Sequence, residues 1–503
     1  MRDPSLSYAP LGIAAVAVTR FLCRSHSLYD LDSVNFALAM ARFDPAAHQP
    51  HPPGYFLYVC LGRLVNLLFP DPNSALVAID IAASCGAAWM IYLLTRQWFG
   101  QRAAYLSILL FLVSPLCWFH GIVALTYIVE AFFSALIGYL CWRIYTGHRA
   151  FVLPASIVFA LAAGFRPSTA LLLAPLWLLA IWRVGVIRLW LAFVAVVAVT
   201  LAWFLPMTAA AGGFHAYFDA LTQLWRTVPG RRTTLSSPWL VIARILAMAW
   251  IFVMCFGTAS VFAIWPQRRP ITTAKAEPRQ TRRTAFVWVW VLPGTLFFAL
   301  VFFNFVNSGY LLVLFPPAFA FLADRLSTFV SGRDLRPLRW AAVTAGVAAN
   351  VLFFFYAPVY CSHRSVRELD TSLTALTQDF ENNLNPQTTL IVGFDSHFLG
   401  YRHAGYYLPH FVTVQYPEVA YPGGKRVFAM HDRNTEVVRH LPAGRFEQFV
   451  FFPLPEDHES AVYLDTVLSK LPRGSLNTAM VGRRKVLMGP VSLLAVLFPE
   501  TTR

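Results

Sequence analysis

The sequence predicts an α-helical polytopic membrane protein with about eleven transmembrane helices plus interfacial helices, followed by a small C-terminal α/β domain. Three observations predict it. Of 503 residues, 57% are hydrophobic and only 13% charged, against roughly 25% charged in soluble globular proteins. Apolar runs recur up to residue 358, several approaching the ~20 residues that cross a bilayer as a helix. Beyond residue 360 the pattern changes to short β-like runs alternating with amphipathic helix.

The runs fall at about 10–24, 75–96, 103–119, 121–142, 151–166, 168–183, 187–205, 238–265, 285–304, 308–323 and 338–358. The first lacks a small-residue cleavage site and reads as a retained helix rather than a signal peptide. PLWLLAIW and LFPPAFAF contain proline, so those helices need neighbours to satisfy their backbones. The segment 54–69, GYFLYVCLGRLVNLLF, is apolar but short and carries Arg63 midway. Arginine placement decides how it lies. If it runs along the interface, Arg96, Arg102, Arg143, Arg149, Arg183, Arg188, the basic stretch 267–283, Arg325, Arg333, Arg336 and Arg339 all fall on the cytoplasmic side. If it spans, every one of them flips outward. The positive-inside rule selects the interfacial reading. The N-terminus is then cytoplasmic. The loop 24–53, His120, Arg166-Pro167, the loop 206–237, Asn304, Asn307 and everything after 359 lie outside. Within 213–226, Phe214, Tyr217, Phe218, Leu221, Leu224 and Trp225 recur at helical spacing, which predicts an amphipathic helix on the outer leaflet.

The net charge of +15 follows from arginines at the ends of apolar runs and gives no footprint for nucleic acid. None of the seven cysteines forms a CxxC, so no zinc or redox site is indicated. Cys23 and Cys361 both fall near the outer face, which leaves a disulfide between them open. In the tail, TTLIVGF (388–394), KRVFAMH (425–431), FEQFVFFPL (446–454) and RKVLMGPV (484–491) read as strands. SVRELDTSLTALTQDFENN (365–383) reads as a helix. The division is a membrane domain over 1–360, containing a first external loop over 24–74, and an external α/β domain over 361–503. VGFDSHFLGYRHAGYYLP (392–409) is that domain's most polar-aromatic stretch and reads either as an ordinary loop or as a face toward the membrane domain.

The first external loop concentrates the chemistry. Asp30 and Asp32 follow directly on a transmembrane end. In an extended segment, residues two apart point the same way. Two such carboxylates can hold a divalent cation, Mg or Mn, or act as base and orienter. His51-Pro52-Pro53-Gly54 fixes an entry direction and places His51 at the start of the interfacial helix. The same residues read equally as solvated acids and a rigid membrane-entry turn.

Asp32-Ser33-Val34-Asn35 followed by His51-Pro52-Pro53-Gly54-Tyr55 resembles the first-loop motifs of GT-C membrane glycosyltransferases, in the branch of protein O-mannosyltransferases and aminoarabinose transferases. WFHGIVALTYIVEAFF (118–133) and NSGYLLVLFPPAFAFLADRL (307–326) are similar to two of that superfamily's helices. The layout agrees over about residues 8–360; only 30–68 is specific in sequence. Two positions depart: Asn35 stands where an acid is expected, and the acid expected near Tyr127 is replaced by Glu130 one turn on. The resemblance implies transfer of a sugar from a polyprenyl-phosphate donor to a protein, lipid or polysaccharide acceptor. It implies Asp32 as base, Asp30 as second carboxylate and His51 as positioner. A leaving phosphate needs cationic N–H donors, for which Arg166 in GFRPS comes first, then Arg226, Arg231 and Arg232. Tyr127 and Tyr310 line the pocket, and Glu130, costly within a span, belongs with them. Structural readings stand beside these: an interfacial cap for Arg166, headgroup binding for Arg231-Arg232, an aromatic belt for the tyrosines, and pairing with a neighbouring helix for Glu130. A transporter or an inactive scaffold are the alternative functions. Arginine-rich, lysine-poor usage points to a bacterial inner membrane with a periplasmic site.

Overall fold

The computed structural model describes the chain except residues 1–7, 228–237, 265–277, 304–306, 333–334, 419–426, 442–445, 453–457, 483 and 500–503. The sequence-based readings of Arg231, Arg232, Asn304, Arg333 and most of the basic stretch 267–283 therefore lie outside the described residues. The chain divides into two compact units. The first comprises residues 1–24, 55–207 and 227–365, and the second 25–54, 208–226 and 366–503.

In chain order the helices are α1 (Ala9–Cys23), α2 (Leu31–Ala41), α3 (Phe56–Asn66), α4 (Pro72–Phe99), α5 (Gln101–Leu112), α6 (Pro115–His120), α7 (Tyr127–Tyr145), α8 (Val152–Phe165), α9 (Pro167–Ile181), α10 (Val186–Ala210), α11 (Phe214–Thr227), α12 (Pro238–Phe256), α13 (Val261–Ile264), α14 (Pro278–Leu300), α15 (Pro316–Ser331), α16 (Arg336–Tyr356) and α17 (His363–Asn383). Each predicted apolar run is at least partly helical. Among the described residues six helices are long and apolar enough to cross a membrane, and a bent pair makes a seventh. The other runs are shorter: α1 and α9 have 15 residues, α8 has 14 and α5 has 12. At 1.5 Å per residue these reach about 18–22 Å, against a hydrocarbon thickness of about 30 Å. Helix α3, 11 residues long, reaches only about 16 Å. Leu64, Leu67, Leu68 and Phe69 at its end are exposed.

Two runs break where proline removes an N–H. The run 103–119 is interrupted at Ser114-Pro115, where the Ser114 hydroxyl accepts from the Cys117 N–H. The run 308–323 is a 3-10 stretch, Ser308–Leu314, bent by 71° against α15. The run 121–142 becomes helical only at Tyr127, so 121–126 is a loop. Helix α7 is central, with 78% of its apolar window buried, whereas α10 and α16 are peripheral at 11%. Cys23 and Cys361 are both free, so the disulfide left open by their spacing is not formed.

The second unit is built on a seven-stranded sheet. Its strands are β1 (Thr389–Phe394), β2 (Val412–Tyr416), β3 (Val427–His431), β4 (Asn434–Val438), β5 (Gln448–Phe451), β6 (Asn477–Val481) and β7 (Arg484–Pro490), in the order β4-β3-β2-β1-β5-β7-β6. β1 is parallel to β2 and β5; the other pairs are antiparallel. Strand side chains alternate between faces. Leu390, Val392 and Phe394 enter one core, while Ile391 meets Leu373, Leu376 and Phe380 of α17 in another. Three further helices complete it: α18 (Tyr401–Tyr407), α19 (His458–Lys470) and α20 (Leu494–Leu497).

Of the stretch 24–74, residues 25–54 pack within this unit, while 55–74 belong to the first. Hydrogen bonds give the reason. The Asp370 carboxylate accepts from the His26 and Ser27 N–H groups at 2.9–3.2 Å and from the Ser27 hydroxyl. The Leu28 N–H donates to the Tyr407 hydroxyl at 2.9 Å, and Arg402 donates to the Ala47 carbonyl at 2.6 Å.

Candidate functional site

The predicted site residues gather into two clusters, one in each unit. In the second unit, DLD is not an extended pair. Asp30 is the N-cap of α2: its carboxylate accepts from the Asp32 N–H at 2.9 Å, and its own N–H donates to the Ser33 hydroxyl at 3.3 Å. Such reciprocal capping satisfies donors that a helix start leaves orphaned. It turns Asp30 inward, 1% exposed. Asp32 sits in the first turn, where the helix dipole favours a carboxylate. Its Oδ1 lies 3.1 Å from His51 Nδ1, with both side chains about one-fifth exposed. The structure brings Asp32 and His51 together. His51 does not open α3: that helix starts at Phe56, and between them Gly54 and Tyr55 take φ of 107° and 46°.

Asp30 has a second neighbour that sequence reasoning missed. His397 Nδ1 lies 3.6 Å from Asp30 Oδ2, and the His397 carbonyl accepts the Leu31 N–H at 2.8 Å. Burial alone would lower the His397 pKa. Contact with Asp30 and the negative charges of Asp30, Asp32 and Asp395 outweigh it and raise it to about 9. Two nearby histidines are driven the other way. Burial, then the charges of Arg402 and His51, lowers His48 to about 3, and burial lowers His403 to about 4. His397 is therefore charged at neutral pH, and His48 and His403 are neutral. Among the described residues no three His, Cys, Asp or Glu side chains are grouped to hold a metal ion.

In the first unit, Arg166, Glu130, Tyr127 and Tyr310 converge. Arg166, between α8 and α9, places Nε 2.9 Å from Glu130 Oε2 on α7. Its Nη1 donates to the Thr126 hydroxyl at 2.7 Å and its Nε to the Ser168 hydroxyl at 3.1 Å. Ser168 and Thr169 donate to Glu130 Oε1 at 3.0 and 3.1 Å. The guanidinium lies 4.5, 5.1 and 5.6 Å from the ring centres of Tyr127, Tyr310 and Tyr55, within cation–π range. Arg166 is 5% exposed and Glu130 2%. A buried charge pair holds only when such bonds satisfy it. Nη2 has no hydrogen-bond partner among the described residues. Gly309 lets the Tyr127 ring press against its backbone, since a Cβ there would overlap the ring. His120 adjoins Tyr127 and lies 3.4 Å from the Ser308 hydroxyl.

Sequence reasoning missed Thr126, Ser168, Thr169 and Tyr55, although each flanks a named residue. The polar residues around GFRPS and TYIVE were the available signal. Asp80, fully buried on α4, accepts from the Leu125 N–H at 3.2 Å and from Tyr58 at 3.3 Å, pinning the loop that carries Thr126. Arg226 is exposed in the last turn of α11 and joins neither cluster. Asn35 is buried within the second unit.

No protein-family model matches the chain, and no curated protein matches it by sequence. Solved structures do. ArnT from Cupriavidus metallidurans in the apo state aligns with a TM-score of 0.57 at 14% identity, covering 98% of this chain and 99% of that one. The same enzyme bound to undecaprenyl phosphate aligns with a TM-score of 0.56 at 14% identity, covering 96% and 98%. The fold is thus similar to that of ArnT over nearly the whole of both chains: many apolar helices with a small C-terminal sheet domain, as the sequence predicted.

Proposed function

We propose that the protein is a membrane glycosyltransferase that moves a sugar from a polyprenyl-phosphate donor to a hydroxyl-bearing acceptor (protein, lipid or polysaccharide), with Asp32 as general base. The observation that carries this reading is the Asp32–His51 pair, presented on a fold matched end to end by an enzyme that binds undecaprenyl phosphate. Asp32 takes the proton of the acceptor hydroxyl. That oxygen bonds to the anomeric carbon as the bond to the phosphate oxygen breaks, and polyprenyl phosphate leaves. His51 orients the carboxylate. For the leaving phosphate the reading assigns Arg166. Its charge is balanced by Glu130, so it offers directed N–H donors from Nη2 rather than surplus positive charge. Tyr127 and Tyr310 wall the guanidinium. Arg226, Arg231 and Arg232 are assigned to anionic headgroups or the donor phosphate. The arginine distribution favours the periplasmic face of a bacterial inner membrane, with the C-terminal domain outside. Capping by Asp30 favours a metal-independent reaction.

The test is donor consumption. Purified protein and its Asp32→Asn variant are incubated with a panel of polyprenyl-phosphate sugars and cell-envelope acceptors, with and without EDTA. Free polyprenyl phosphate is followed by mass spectrometry. Release that needs Asp32 and resists EDTA is the expected result. Absence of release with every donor, from folded protein, overturns the transferase reading in favour of an inactive scaffold.

A further inference from the structure

Asp30 and Asp32 lie in the loop that follows α1, yet the groups fixing them come from the far end of the chain. β1 lies between β2, reached through α18, and β5, on its other side. The loop leaving its C-terminal end thus stands at the switch point of the sheet. Open α/β sheets place ligand-handling loops there. In this protein that loop, residues 395–400, meets the start of α2. The His397 carbonyl accepts the Leu31 N–H at 2.8 Å, and His397 Nδ1 faces Asp30 Oδ2 at 3.6 Å. Phe398 meets Tyr29 edge-on at 5.3 Å. One step on, His403 Nε2 lies 3.1 Å from the Leu28 carbonyl. A single path of contacts then runs from His397 to Asp30, through the capping bond to the Asp32 N–H, and from the Asp32 carboxylate to His51.

We propose that His397 of the α/β domain is a positioning residue for Asp32: it holds the Asp30 cap, and the cap sets the direction in which Asp32 meets His51. The C-terminal domain is on this account part of the reaction machinery, with no need for it to touch the sugar. The inference rests on Asp32 being the base.

The test compares His397→Gln, Asp30→Asn and the double variant with the parent protein. Glutamine keeps a polar side chain but not the imidazolium. Asparagine keeps the N-cap, since Asn and Asp cap equally well. Each single variant is expected to lower kcat about tenfold, with the donor KM within about twofold. A role made only in the transition state gives that split. The double variant is expected to be no slower than the slower single, because one interaction is removed twice. Hydrogen exchange gives an arm independent of activity: amides of residues 29–36 exchange faster in His397→Gln, while those of α7 do not. Unchanged kcat in His397→Gln, additive losses in the double variant, or unchanged exchange at 29–36 each overturn the proposal. A parent protein that consumes no donor removes the transferase reading instead, and the exchange arm alone then decides whether His397 orders the loop.

Discussion

The Arg166 cluster and the Asp32 cluster hold charge by opposite means. Around Arg166 most groups are buried, with Ser168 and Tyr310 half-buried: a 2.9 Å ion pair, three hydroxyls and three tyrosine rings surround a cation that stays protonated at any working pH. Asp32 and His51 are each about one-fifth exposed, and the partners of Asp32 and of the buried Asp30 are histidines. The first arrangement suits a permanent charge whose position must not vary. The second suits a proton that must arrive and leave. Removing a partner should therefore cost stability in the first and turnover in the second.

The largest expected effect is on turnover. Asp32→Asn keeps shape and removes the proposed base, and donor consumption should fall roughly 10²–10⁴-fold, the usual range for a positioned general base. Its thermal midpoint should hardly move. A midpoint lowered as far as that of Glu130→Ala would erase the contrast between the clusters.

Next comes stability. Glu130→Ala leaves the Arg166 charge buried and unpaired and should cost about 3–5 kcal/mol. Replacing both, as Glu130→Leu with Arg166→Met, should recover most of that loss, because buried ion pairs are often replaceable by packed apolar residues. Thermal unfolding in detergent measures both. His51→Asn, which breaks a more exposed pair, should cost less than about 1 kcal/mol while lowering kcat.

The third effect is pH dependence, confined to the Asp32 cluster. The His397 pKa is raised in the folded protein to about 9, from an unfolded value near 6.5. Its contribution is complete below the unfolded value and is lost as pH rises through about 9. The groups facing it are Asp30, Asp32 and Asp395, all acidic. Turnover should decline above pH 9 toward the level of His397→Gln, and that variant should lose this alkaline limb. An unchanged limb in His397→Gln would assign it to another group.

Local pattern and long-range placement were not equally legible in the sequence. The apolar runs, α17 and four of the strands follow from periodicity, which is a local property. The convergence of Arg166, Glu130, Tyr127 and Tyr310 was approachable because a charge within a span must find a partner. The capping role of Asp30 was legible too: Asp30 with Ser33 three residues on is a capping pattern, which competes with the extended backbone that the Asp30–Asp32 spacing suggests. His397 was not legible. Nothing in DSHFLG signals that it meets Asp30, because only the topology of the sheet brings the loop after β1 to the start of α2. β2, β4 and β6 escaped for a related reason, since short strands are defined by their partners more than by their own residues.

The smallest expected effect asks how the His51 turn is held. Tyr217 on α11 is 4% exposed, and its hydroxyl donates to the Pro53 carbonyl at 3.1 Å. Other residues of the same helix, Phe214, Phe218 and Trp225, stay exposed, as an interfacial helix leaves its lipid-facing side. Tyr217→Phe keeps the packing and deletes one hydrogen bond, worth about 0.5–1.5 kcal/mol net. That loss, spread over a turn also held by the Gly54 N–H donating to the His51 carbonyl at 3.1 Å, should lower kcat less than about threefold and leave donor KM unchanged. A larger fall would mean that α11 helps set His51 itself, so that three separate stretches of the second unit converge on one carboxylate. A fall within error would leave His51 to its own turn, and the contrast with the Arg166 cluster would then come down to Asp30, Asp32 and His397.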